Sequence, residues 1–378
     1  MHNSGPRSIE NGYFIFTLMP SLHCKLDCPH CYLTREQRRD PYIMPLNKLE
    51  TVCRKIRDYY DGMIREGKQV DIIGYWYGGE PTDMGLDYFV QSFNMMDRVF
   101  GQEINLDQTI LSSLVSIKDG ELDKWISLAR ERCGNKIQTS FDWTMRGKGY
   151  VRNWERKVRA FVDAGIDVSI IAVVNRDIID FGAESVIDYL TDLRIRETSW
   201  LPFMLNDRNA KTGMFDRFSP TMNEYSDFMI RLTRYALDKE SAPTIGQFCF
   251  VAGQRHQENK LSNISGQTLF LLPDGTFCMP DYHDGTWQEY LRNFGNILDK
   301  NESFETILSS PERRKWLRKQ ALRNMNAECQ DCDLHDCCIM EFWKDNRDED
   351  ECFGASKFVR WSLEQPEAEI IGSSVRLY

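Results

Sequence analysis

Nowhere in these 378 residues is there an apolar run long enough to cross a bilayer. The opening MHNSGPRSIENGYFIF also lacks the basic stretch and apolar run of a secretory signal. Neither a membrane span nor export is expected, so the chain is read as cytoplasmic, where glutathione and thioredoxin keep thiols reduced. Positive charge is in deficit: 47 Lys and Arg against 57 Asp and Glu give a formal net charge of −10. An acidic surface repels phosphate backbones and gains nothing from anionic lipid, so neither nucleic acid nor membrane is an expected partner. No internal repeat, low-complexity tract or flexible linker interrupts the chain, which excludes a repeat array.

What is present is a globular composition, 42% hydrophobic and 12% aromatic, enough for one large α/β core with a smaller appended unit. Apolar runs at Tyr13 to Leu18, Val70 to Tyr75, TILSSL, KIQTSF, DVSIIAVV and ETSWLPF read as strands. Between them, from about Asn47 to Arg65 and Leu86 to Phe100, and in GELDKWISLARER, VRNWERKVRAFVDAG and AESVIDYLTDL, apolar positions recur at helical spacing. Alternating strands and helices imply a parallel sheet with right-handed crossovers. Six such units predict an α/β fold, a partial (β/α)6 TIM-like barrel, over residues 1–205. A helical bridge over 206–248 is expected to open with Ser219 as cap and Pro220 just inside. A cysteine-rich unit follows over 249–378, with a hairpin turning at Asp274-Gly275.

Twelve cysteines in a reduced compartment read as metal ligands or core residues rather than disulfides. Cys53 and Cys133 stand apart in helical segments and are expected to be buried small hydrophobes. Cys24, Cys28 and Cys31, spaced C-x3-C-x2-C, fall on the loop after the first strand. A structural zinc site is closed by four ligands, and no nearby cysteine or well-placed histidine supplies the fourth. An iron–sulfur cube held by three thiolates keeps one iron open to an outside ligand. The alternative is half of a zinc site, completed elsewhere in a non-catalytic zinc-binding interaction protein. GGEP follows the second strand and SFD ends the fourth, so all three motifs fall on the rim where barrel enzymes do chemistry.

CKLDCPHC resembles the signature of the radical S-adenosylmethionine (SAM) enzymes, over roughly the first 205 residues. In that family a [4Fe-4S] cluster binds SAM through its open iron and reduces it, releasing a 5′-deoxyadenosyl radical that abstracts hydrogen from substrate. The resemblance implies a contact to the SAM amino group from Gly78, Gly79 and Glu80, and cofactor contacts from Ser140 and Asp142. It places Arg152 on the SAM carboxylate, with Arg146 and Arg156 as rivals, Asn175 near the ribose, and the backbone of His30 against adenine.

The second cysteine field, CQDCDLHDCC with Cys352 downstream, would in isolation read as a structural zinc knuckle. Behind a radical SAM core it resembles the SPASM extension, which carries two auxiliary iron–sulfur clusters; a single-cluster twitch extension is the alternative. Cys249, Gly275, Cys278, Cys329, Cys332, Cys338 and Cys352 can be laid on that pattern. Two departures stand out: the hairpin spacing is Gly-x2-Cys, and Phe342 replaces one cysteine. Cys329, Cys332, Cys338 and Cys352 suffice for one cluster. The site nearer the barrel has Cys249 and Cys278, with Cys337 as an open third ligand, so one or two auxiliary clusters are expected.

Enzymes of this type act on ribosomally made peptides or protein side chains, forming crosslinks, thioethers, epimers or oxidised residues. Others act on small molecules such as sugars or aminoglycosides, and both readings stay open. Cys24 lies so near the start that a peptide substrate would need direct contact or a separate leader-recognition protein. A flavodoxin- or ferredoxin-type electron donor is implied, and the basic run PERRKWLRKQALR is either a solvated face or a dock for an acidic partner. Asp281 is the candidate base, rivalled by Tyr282 and His283, or it is a turn residue.

Overall fold

A computed structural model describes residues 7–203, 205, 207–254, 266–280, 291–321, 327–335, 338, 352 and 354–365. The strands are β1 (Tyr13–Leu18), β2 (Val70–Trp76), β3 (Ile104–Ser112), β4 (Lys136–Phe141), β5 (Asp167–Val174), β6 (Glu197–Pro202), β7 (Thr244–Ile245), β8 (Thr268–Leu271), β9 (Thr276–Pro280) and β10 (Leu291–Asn296). The helices begin with α1 (Arg35–Arg39), α2 (Leu46–Arg65), α3 (Leu86–Phe100), α4 (Leu122–Arg132), α5 (Lys148–Asp163), α6 (Arg176–Phe181) and α7 (Ala183–Asp192). After the sixth strand come α8 (Asp207–Lys211), α9 (Met214–Phe218), α10 (Met222–Asp238) and α11 (Gly246–Gln254). The last described helices are α12 (Phe304–Leu308), α13 (Pro311–Ala321), α14 (Ala327–Gln330) and α15 (Ser356–Glu364).

Strands β1 to β7 lie in chain order, each parallel to the next, as a partial barrel should. Alternation sorts the two faces. Along β2, Val70, Ile72 and Trp76 are buried under helices, whereas Ile73 and Tyr75 face the half-open lumen. Trp76 packs its ring 5.1 Å from Phe89 and 5.5 Å from Phe93 of α3. Helix α2 presents Leu49, Val52, Cys53, Ile56 and Tyr60 inward at three- and four-residue spacing. Cys53 and Cys133 are buried in this apolar layer.

The structure alters three expectations. Strand β3 starts at Ile104, five residues before TILSSL, because polar Asn105, Asp107 and Gln108 interrupt the apolar run without interrupting the ladder to β2. Helix α10 is capped by Thr221, not Ser219. Thr221 and Glu224 close a reciprocal capping box, which satisfies two orphan groups where Ser219 would satisfy one. The boundary placed at residue 249 falls inside α11, which packs on β6 and β7.

The hairpin β8–β9 does turn at Asp274-Gly275, with Gly275 at φ 97° and the Asp274 carboxylate accepting from Thr276 N at 2.9 Å. It does not stand apart from the barrel. Strand β8 pairs in parallel with β1 along the edge opposite β2, so the sheet continues through β8, β9 and β10. Lys55 on α2 reinforces the junction: its ammonium donates to the carbonyls of Ile297 at 2.7 Å, Asp299 at 3.2 Å and Glu302 at 2.5 Å. Lys55→Met should cost about 2 kcal/mol of unfolding free energy by denaturant titration, because charged hydrogen bonds to three carbonyls are lost together.

Candidate active site

The loop after β1 carries Cys24, Cys28 and Cys31, and the turn after β2 carries Gly78 and Gly79. The two are pressed together. Gly79 N donates to Ser21 O at 3.3 Å and Glu80 N donates to His23 O at 2.8 Å. A Cβ on Gly78 would lie 2.3 Å from Ser21 O, and one on Gly79 would lie 2.1 Å from His23 O. The glycines are therefore required by loop-on-loop packing, before any ligand is considered. From behind, Arg38 holds the loop: its guanidinium donates to Leu26 O at 2.7 Å and to Asp27 at 2.9 Å, while Cys24 N donates to Arg38 O at 3.0 Å. Arg38 had no motif to announce it; two adjacent arginines ending a short helix look like surface charge.

A cavity of about 100 Å³ opens here, lined by all three cysteines with His30, Tyr32, Tyr77, Gly78, Gly79, Glu80, Ser112, Ser113, Ser140 and Arg146. Burial pushes the Cys24 and Cys28 thiols up to about 12, so ligand binding must displace their protons. His30 is lowered to about 4, chiefly by burial, and is neutral at physiological pH. Its ring stands edge-on to Phe203 at 6.2 Å. Asn209 on α8 reaches over the loop, donating to Pro29 O at 3.3 Å.

Glu80 lines the cavity with its carboxylate already engaged. Oε1 accepts from Thr82 N at 3.2 Å, Thr82 Oγ1 at 2.5 Å and Ser112 Oγ at 2.6 Å. Oε2 accepts from Ser113 N at 2.9 Å and from the Ser113 hydroxyl. The residue thus ties the β2 turn to the end of β3.

Across the cavity, Asp142 follows β4 directly and is paired with Arg146, one turn on. Both side chains are buried, at 1% and 8% exposure, and the Arg146 guanidinium also donates to Tyr150 Oη at 2.9 Å. Burial opposes the charge on Arg146, but Asp142 foremost, with Cys28 and Tyr150 beside it, holds its pKa well above the usual arginine range. Arg152 and Arg156 do not reach the site. Both are exposed on α5, and Arg156 pairs with Asp119 at 2.7 Å. The reason is local: Trp143, at φ 48°, starts a short 3-10 turn that folds Arg146 back over the strand end, while α5 begins only at Lys148. Asn175 is fully buried but does not line the cavity. It caps α6 through Ile178 N at 3.2 Å and donates to Asp142 O at 3.3 Å and Val173 O at 3.0 Å.

Below lies a second cavity of about 920 Å³, lined among others by Thr109, Gln138, Ser169, Glu197 and Cys249. Gln138 stands two residues before Ser140 on β4, and the larger cavity is lined by Lys136, Asp167, Glu197 and Thr244, the first residues of β4 to β7, so it lies toward the opposite end of the strands. Burial raises the pKa of Glu197, with Lys136 opposing.

Among the cysteines of the extension, Cys278 is fully buried on β9. The sulfur of Cys352 accepts from the amides of Gly354 at 3.3 Å and Ser356 at 3.4 Å, and that of Cys332 accepts from Leu334 N at 3.4 Å. Cys338 Sγ lies 3.8 Å from Gly354 O, which brings it to the Cys352 turn. Backbone amides aimed at sulfur suit thiolate ligands of an iron–sulfur cluster. Among the described residues, no three His, Cys, Asp or Glu side chains converge on a single metal ion. Asp281, Tyr282, His283 and Cys337 lie outside the described residues.

Because the Glu80 carboxylate closes hydrogen bonds within the protein, Glu80→Gln should destabilise the cofactor-free protein itself by about 2 kcal/mol in denaturant titration. A residue that served only a ligand would leave that value unchanged.

Residues 263–333 match the SPASM family, described as an iron–sulfur cluster-binding domain. The fold is similar to that of anSMEcpe solved with bound AdoMet and the Kp18Cys peptide. The TM-score is 0.69 at 13% identity, covering 95% of this chain and 98% of that one. It is also similar to Streptococcus suis SuiB bound to its precursor peptide SuiA, with a TM-score of 0.58 at 14% identity, covering 87% and 71%. An uncharacterised protein of Synechocystis, sll1766, is 20% identical over 98% of this chain and 93% of its own length. The chain thus shares its fold with structures solved with AdoMet bound, and its residues 263–333 carry the SPASM match.

Proposed function

We propose that the chain holds its SAM-binding cluster on Cys24, Cys28 and Cys31 and abstracts hydrogen from a ribosomally made peptide or a protein side chain. The observation that carries the cofactor half is that three cysteines, a glycine turn and a buried arginine line one cavity at the strand ends. When bound, the cluster supplies the electron that splits SAM into methionine and the 5′-deoxyadenosyl radical. The remaining roles belong to the chain. Arg146, already desolvated, offers a fork to the SAM carboxylate in exchange for Asp142. The Ser140 hydroxyl faces the same space, and neutral His30 gives the purine a flat uncharged wall. Glu80 acts by position: it fixes Ser112, Ser113 and the glycine turn rather than donating a free lone pair.

The peptide half of the reading rests on the likeness to two structures solved with peptides bound and on the 920 Å³ chamber beneath the site. Cys329, Cys332, Cys338 and Cys352 are assigned to the outer auxiliary cluster. Cys249, which lines the chamber, and Cys278 are assigned to the nearer one. A flavodoxin- or ferredoxin-type protein would deliver the electron.

Anaerobic reconstitution followed by chromatography for 5′-deoxyadenosine tests the core of the proposal. Alanine at Cys24, Cys28 and Cys31 together should abolish SAM cleavage while leaving the iron of the extension in place. Undiminished cleavage would sink the reading. In equilibrium binding, Arg146→Met should weaken SAM by about tenfold or more, the loss of one charged hydrogen-bond pair, whereas Arg152→Ala should not change it.

A further inference from the structure

The segment from Cys24 to Arg38 closes on itself. Thr34, three residues after Cys31, starts α1 with a capping box: Gln37 N donates to Thr34 Oγ1 at 3.2 Å, and Thr34 N donates to Gln37 Oε1 at 2.9 Å. One turn of helix returns the chain to its start, where Cys24 N donates to Arg38 O at 3.0 Å. The helix ends with two arginines in different surroundings. Arg39 is exposed, whereas Arg38 is only 5% exposed and lies against the cysteine loop.

A guanidinium spreads five N–H donors over a rigid plane, and each one that is buried needs an acceptor. Nη1 of Arg38 is satisfied twice, by Leu26 O at 2.7 Å and by the Asp27 carboxylate at 2.9 Å. These bonds alone account for its hold on the loop. Nε–H, on another edge of the plane, is buried and has no acceptor among the described residues. Leaving such a donor unpaired is costly, so its placement beside the loop points to an acceptor supplied there. Burial opposes the charge on Arg38, yet the bond to Asp27 and the charges of Cys31, Asp27 and Cys24 raise its pKa above the usual arginine range. The cysteines that act on it are thus the first and third of the signature. Arg146 acts on Cys28 from across the cavity.

We propose that Arg38 donates its Nε–H to a sulfur of the N-terminal cluster, on the Cys24 and Cys31 side, and so raises the reduction potential of that cluster. This role rests on the reading of Cys24, Cys28 and Cys31 as the cluster's ligands. Reduction adds negative charge to a core already ringed by three thiolates, so a fixed N–H donor on a buried cation favours the reduced form. Arg38 itself gains and loses neither electron nor proton. It shifts the share of the cluster that an electron donor of given potential keeps reduced. Arg39 carries the same charge in water, where screening removes the effect.

Electrochemical titration of the reconstituted full chain without SAM, followed by electron paramagnetic resonance, tests this role. The signal to follow is the one missing when Cys24, Cys28 and Cys31 are replaced together by alanine. At a fixed applied potential, Arg38→Met should lower the reduced-to-oxidised ratio of that cluster about tenfold, a midpoint about 59 mV lower. Arg38→Lys keeps the charge without Nε–H, and its midpoint should fall between the other two. Arg39→Met should leave the midpoint at the parental value, and a shift there equal to that of Arg38→Met would overturn the role. A parental midpoint in Arg38→Met also overturns it, as would follow if Nε–H met only an ordered water. Where Arg38→Met fails to assemble the cluster, Arg38→Lys decides. A parental midpoint in the lysine variant refutes the hydrogen bond whatever the methionine variant shows. If the triple alanine variant loses no signal, the ligand assignment itself fails, and the role of Arg38 with it.

Discussion

The contact on which the rest depends is the one between two backbones: the glycine turn after β2 and the carbonyls of Ser21 and His23. These are the ends of neighbouring parallel strands, and nothing larger than hydrogen fits between them. Hydrogen bonds from Gly79 N and Glu80 N then fix the cysteine loop to the second strand, and the Glu80 carboxylate fixes that turn to the third. The tops of β1, β2 and β3 become one rigid piece. The tops of β4 and β5 form another, joined by the Asn175 bonds to Asp142 O and Val173 O. The cavity is the gap between the two pieces, with thiols on one side and Arg146 on the other.

Charge is arranged around that gap with the same economy. Three thiolates in a partly buried loop would repel one another, and burial already disfavours their ionised form. Two buried guanidinium groups offset this from opposite sides: Arg38 behind the loop and Arg146 across the cavity. Asp142 keeps Arg146 desolvated and aimed in the absence of a ligand. A buried pair of this kind is retained for its geometry more than for its stability, since the desolvation of both charges consumes most of their attraction.

The strands were legible because their patterns are local. Tyr13–Leu18, Lys136–Phe141 and Asp167–Val174 coincide with apolar runs read directly from the residues. What stayed illegible was set by partners distant in sequence or by a single unusual dihedral. That Arg146, and not Arg152 or Arg156, lines the cavity depends on the positive φ of Trp143, since helical spacing alone favours none of them. Glu80 and Asn175 were identifiable as polar residues at strand ends. Whether their atoms face a ligand or close on the protein depends on Ser112, Ser113 and Asp142, some 30 residues away. The pairing of β8 with β1 joins segments 250 residues apart and has no signature in either strand.

That pairing changes what the extension is. A cysteine-rich unit tethered by a linker could hold its metal anywhere, and its electronic relation to the barrel would be left to chance. Here β8 continues the barrel sheet, its register with β1 is fixed by a hydrophobic row on the helical face, and Lys55 clamps the segment after β10 to α2. A shift of one residue would turn Cys278 from the lumen into the helical layer. The same ladder that completes the fold therefore determines which face the hairpin cysteine presents, so the stability of the sheet and the placement of Cys278 cannot be altered independently.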